Sequence, residues 1–131
     1  MRHPTFRLPL HTLLGLDALS CAVMGAALLA APVPLGRWMA LPPTLLGGAG
    51  LALLLIAAFM AWLACRPAVP RWGLGLVVAG NALWAMGSVL LPMLGLVSPS
   101  LPGWLFLLGQ AGAVALLAWL EAGARPAPAM A

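Results

Sequence analysis

Four stretches, Leu8–Ala31, Thr44–Cys65, Trp72–Leu94 and Gly103–Ala122, are long, apolar and almost free of charge. Each is close to the ~20 residues that an α-helix needs to cross ~30 Å of hydrocarbon. No period-two alternation runs through them, which excludes the strands of a transmembrane barrel. Composition points the same way. Of 131 residues, 64% are hydrophobic and only 6% are charged, whereas a soluble domain carries about 25% charged residues to keep its surface wet. The expected fold is therefore all-α, a bundle of four transmembrane helices.

Proline marks the breaks between the spans. PVPLGRWMALPP at 32–43, RPAVPR at 66–71 and GLVSPSLPG at 95–103 read as loops, because proline lacks the N–H donor and blocks helix continuation. Residues 1–123 are expected to form one membrane domain, and 124–131 a short, Pro-rich, disordered cytoplasmic tail. The N-terminal basic residues and the apolar run after them resemble a secretion signal. A signal core is only about 7–15 residues long; this run is longer and contains Asp17, so it reads as a retained helix.

Charge gives direction. With four spans, the N-terminus, the middle loop and the tail share one side. That side holds Arg2, Arg7, Arg66, Arg71 and Arg125 against Arg37 alone on the other. Basic loops stay cytoplasmic, so both termini are expected there, in a bacterial inner membrane. The absence of lysine and the heavy use of Ala, Gly, Leu and Pro also suggest a GC-rich bacterial genome. Trp62, Trp72 and Trp119 fall near the inner boundary and Trp38 and Trp104 near the outer one, as interfacial belts do. Trp84 alone sits in mid-span. The formal charge of +4 forms no basic stripe, so nucleic acid is not an expected partner.

A shift of 62 residues sets LLGGAG at 45–50 against LLGQAG at 107–112, and MG at 24–25 against MG at 86–87. This suggests a tandem two-helix repeat. Gly47, Gly48, Gly50, Gly109 and Gly112 read as surfaces for close helix packing. Pro92 is expected to end the third span. Cys21 and Cys65 differ in depth and are not expected to pair; they read as small apolar fillers. His3 and His11 read as solvated interfacial residues.

The polar residues within the spans set the functional question. Asp17 lies about a third of the way into the first span, where a carboxylate costs about 2.5–3.5 kcal/mol on insertion scales and should face protein or water. Ser20, Cys21 and Met24 share its helical face. In GNALWAMGS at 80–88, Asn81, Trp84 and Ser88 fall on one face. Gln110 and Glu121 share a face of the fourth span, with Glu121 at the cytoplasmic boundary. Asp17, Asn81, Trp84, Ser88, Gln110 and Glu121 are therefore the candidate pocket, with Asp17, Asn81 and Gln110 expected to converge. There is no nucleophile–base pair, phosphate loop, haem motif or zinc motif. No catalytic residue, metal or cofactor is expected.

GNALWAMGSVLL, followed by GQAGAVALLAWLEAG, resembles a group of small bacterial four-helix integral membrane proteins. They share N-x-x-W in the third helix, paired QA and LE in the fourth, and an Asp early in the first. Asp17, Asn81, Trp84, Gln110 and Glu121 occupy the matching positions. The resemblance implies fold and topology and carries no activity. The four short helices with an acid in the first are also similar to the small multidrug resistance transporters. This chain departs from them in using Asp and in its unequal charge on the two sides.

The sequence thus leads to a non-enzymatic structural or accessory membrane subunit with a buried polar cluster. Its partners are expected to be the lipid bilayer and a second copy or another membrane protein. The alternative is a small proton-coupled carrier in which Asp17 titrates.

Overall fold

The computed structural model describes residues 9–124. It is all-α. Four long helices, α1 (Leu10–Ala30), α3 (Pro43–Ala64), α4 (Arg71–Met93) and α5 (Leu101–Gly123), are joined with a short one, α2 (Pro32–Met39). The long helices have 21 to 23 residues and are apolar enough to cross a membrane; at 1.5 Å per residue they span ~31–35 Å. Their bounds lie within two residues of those expected. Their outward faces carry Leu19, Val23, Leu55, Leu83, Leu105 and Leu116, all exposed, as suits hydrocarbon and not water. The chain is a multi-pass membrane protein. The expected tail lies outside the described residues, except Ala124.

The 32–43 segment is not all loop: α2 occupies 32–39. Pro32 stands at its first position and Pro34 in its first turn, where the missing N–H would have no partner in any case. The helix stops at Ala40, whose φ of 53° is left-handed. Proline plays the same starting role elsewhere. Pro9, Pro42 and Pro70 are the N-caps of α1, α3 and α4, each in extended backbone. Nor does Pro92 end α4. The stop is Gly95, at φ 75°. Its N–H donates to the Pro92 carbonyl (3.1 Å), and that of Leu96 to the Leu91 carbonyl (3.0 Å), the double bond of a glycine C-cap.

The helices pair as α1 with α3 and α4 with α5, and α1 also meets α5. The α1–α3 crossing is backbone to backbone. A Cβ on Gly25 would stand 2.8 Å from the Gly50 carbonyl oxygen, and one on Gly50 equally close to that of Gly25. Of the five glycines expected to pack closely, only Gly50 does so. Gly47, Gly48, Gly109 and Gly112 have nothing within 4 Å of a Cβ position. Gly87 and Gly112, the repeat equivalents of Gly25 and Gly50, are likewise open, so the crossing is not duplicated.

At one end of the bundle α2 packs on α3 and α5. Ser100 secures it, its N–H donating to the Met39 carbonyl (3.0 Å) and its hydroxyl to that of Trp38 (2.7 Å). At the opposite end Phe59 and Trp62 of α3 meet Trp72 of α4, with ring centroids 6.1–6.3 Å apart. The Arg66 guanidinium lies 4.6 Å over the Trp62 ring, a cation–π contact. His11 bonds the Arg66 carbonyl at 2.7 Å through Nε2, so it is tied to the α3–α4 turn as well as exposed. His3 lies outside the described residues. Between these two ends α3 and α4 stand apart.

Candidate functional site

The buried stripe of α1 runs Leu10, Leu13, Leu14, Asp17, Ala18, Cys21, Gly25 and Leu28, the three-to-four-residue spacing of one helical face. Asp17 therefore points into the bundle with the core leucines, and it is 0% exposed. On α4 the face of Val77, Asn81 and Ser88 is buried. On α5 the buried stripe ends at Glu121, which is also 0% exposed.

Asn81 joins the two acids. Its amide nitrogen donates to Asp17 Oδ2 at 2.7 Å and to Glu121 Oε1 at 3.0 Å. Both amide hydrogens are thus spent on carboxyl oxygens, and the amide bridges α1, α4 and α5. Cys21 Sγ, one turn beyond Asp17, donates to Asp17 Oδ1 at 3.6 Å, a weak thiol bond. Ser20 Oγ donates to the Asp17 backbone carbonyl at 2.9 Å. Glu121 Oε2 is buried with no hydrogen-bond partner among the described residues. Asp17 and Glu121 are thus brought onto one amide nitrogen, which bonds an oxygen of each. The described arginines stand elsewhere: Arg37 in α2, Arg66 just beyond α3, and Arg71 at the start of α4.

A second polar layer lies further along α4. Trp84 Nε1 donates to Gln110 Oε1 at 3.2 Å, Gln110 Nε2 donates to Ser88 Oγ at 3.2 Å, and the Ser88 hydroxyl donates to the Trp84 carbonyl at 2.8 Å. The layer is closed and formally neutral.

All six candidate residues therefore face the interior of the bundle, but they form two sites and not one. Gln110 does not join Asp17 and Asn81; Glu121, near the C-terminal end of α5 and fully buried, takes that place. The cause is the antiparallel run of α4 and α5. Moving forward along α4 from Asn81 to Ser88 moves backward along α5 from Glu121 to Gln110. Seven residues on α4 rise ~10 Å, too far for one amide to serve both layers. Cys21 belongs to the acid site although its sequence context reads as apolar filler. Its position four residues from Asp17, on the same face, was the available signal. Cys21 and Cys65 are both free.

Among the described residues no group of three or more His, Cys, Asp or Glu side chains could hold a metal ion. Two cavities adjoin the layers. One of about 360 Å³ is lined by Cys21, Asn81 and Trp84 with apolar residues of α3 and α4. One of about 600 Å³ is lined by Trp84, Ser88 and Gln110 with residues of α3, α4 and α5. Comparison with protein-family models, curated proteins and solved structures finds no match in any of the three.

Proposed function

We propose that this chain is a non-enzymatic, proton-binding membrane protein, and that its Asp17–Glu121 pair serves a small proton-coupled carrier. One observation carries the reading. Two wholly buried carboxyl groups share a single amide donor, and among the described residues no arginine is their partner. Two uncompensated negative charges at this depth repel each other and forfeit their hydration. A single proton held between the carboxyls removes the repulsion and gives the orphaned Glu121 Oε2 a role. An Asn or Ser network would tie the helices together without that cost. Asn81, which bonds both acids, and Cys21, which bonds Asp17, line the 360 Å³ cavity.

A second reading, a structural or accessory subunit, is favoured by a specific observation. The Asn81–Asp17 bond ties α4 to α1 where the two helices otherwise have little contact. In that reading the amide is a clamp and the acids only its acceptors.

The arginine distribution supports cytoplasmic termini in either case. Purified protein reconstituted in liposomes with an internal pH dye separates the two readings. A proton-coupled carrier takes up protons on a pH step, and Asp17→Asn or Glu121→Gln abolishes the uptake while helicity is kept. No uptake by the wild type, with loss of helix association in both variants, favours the clamp.

A further inference from the structure

The space between α3 and α4 is a built feature of the chain. Gly48 of α3 and Gly80 and Gly87 of α4 line the 600 Å³ cavity. None of them has any atom within 4 Å of a Cβ position. Glycine inside a helix is destabilising by roughly 0.5–1 kcal/mol relative to alanine, and at these three positions no close backbone approach offsets that. What they supply is room. The cavity volume lies within the ~300–1,000 Å³ range of small-molecule sites.

The position of the cavity fixes what can enter. Gly48, Gly80 and Leu83 at its edge are exposed, and they belong to membrane-spanning helices. The surrounding medium is therefore hydrocarbon. At the far wall stand Trp84, Ser88 and Gln110, a cluster with no formal charge. Gln110 uses one amide hydrogen on Ser88 and receives one bond from Trp84, which leaves a second N–H for a visitor. Pro92 has no N–H to offer the Ser88 carbonyl four residues earlier, so that helical bond is also unmade.

We infer that the α3–α4 cleft binds an uncharged single-chain amphiphile drawn from the bilayer, with its alkyl chain along the glycine walls and its hydroxyl or carbonyl group at Gln110 and Ser88. As the solute class of a carrier this rests on the proton-coupled reading. As a binding site it stands apart from that reading, and the test keeps the two distinct.

Trp84 is the reporter. A variant with Trp38, Trp62, Trp72, Trp104 and Trp119 replaced by Phe leaves it as the sole tryptophan. In phosphatidylcholine vesicles, mid-chain dibrominated octadecanol should quench Trp84 saturably, with half-saturation about threefold lower than for dibrominated octadecane, the size expected of one intramembrane hydrogen bond. Unlabelled octadecanol should restore the fluorescence at mole fractions too small to dilute the bulk lipid. Gly87→Leu and Gly48→Leu, on opposite walls, should each remove the saturable component, and Gln110→Leu should erase the preference for the alcohol. Linear quenching without competition would overturn the site, whatever the variants do. Quenching that declines as protein density in the membrane rises would overturn it in favour of a second copy in the cleft. Asp17→Asn should leave the quenching unchanged even where proton uptake is lost, so either proposal can fail alone.

Discussion

At the scale of single residues, the chemistry rests on one amide. Asn81 donates to both acids, so Asn81→Leu removes both bonds and leaves Asp17 with only the weak Cys21 thiol donor and Glu121 with none among the described residues. A hydrogen bond to a buried charged group is typically worth about 1.5–3 kcal/mol. Thermal unfolding in detergent should show that loss, and the triple variant that adds Asp17→Asn and Glu121→Gln should recover a large part of it. Asn81→Asp adds a third acid and should be worse than Asn81→Leu. Asp17, Asn81 and Ser88 were legible as inward-facing because helical spacing assigns a face and the cost of a polar group in lipid assigns its direction. Their partners were not. The pairing of Asn81 with Glu121, and of Ser88 with Gln110, depends on the relative height of two antiparallel helices, which spacing within one helix does not encode. Spacing placed Cys21 on the Asp17 face, but a thiol is apolar enough to read as filler, so its bond to the carboxyl was not foreseen.

At the scale of elements, the same residue types have opposite consequences. Gly25 and Gly50 let two backbones touch, whereas Gly47 and Gly109 face open space. Gly25→Ala should therefore destabilise the protein by about 1–3 kcal/mol, the usual range for overpacking. Gly47→Ala and Gly109→Ala should stay within about 1 kcal/mol of wild type or gain slightly. Chemical or thermal unfolding of the reconstituted variants checks the contrast. A run of small residues announces helix packing and cleft lining equally well, which is why the sequence assigned five glycines to contacts and the structure uses one. Proline was ambiguous in a related way. It forbids the middle of a helix but suits its first turn, so α2 was concealed in a segment whose prolines read as loop.

At the scale of the whole molecule, the four spans were readable because bilayer thickness sets their length and proline sets their ends. The open side between α3 and α4 was not, since it depends on which helices pair. Orientation is testable with a native residue. Cys65 is exposed at the C-terminal end of α3 and Cys21 is buried. A membrane-impermeant maleimide should leave intact cells unlabelled and modify Cys65 in inverted vesicles; labelling in intact cells would reverse the topology.

The proposal that Asp17 and Glu121 share a proton is open to a direct test by infrared spectroscopy of the reconstituted protein. A protonated-carboxyl stretch should be present near neutral pH, decline as the pH is raised, and vanish in the Asp17→Asn/Glu121→Gln double variant. A spectrum with no such band in the wild type, or one unchanged in the double variant, would contradict a proton-binding pair.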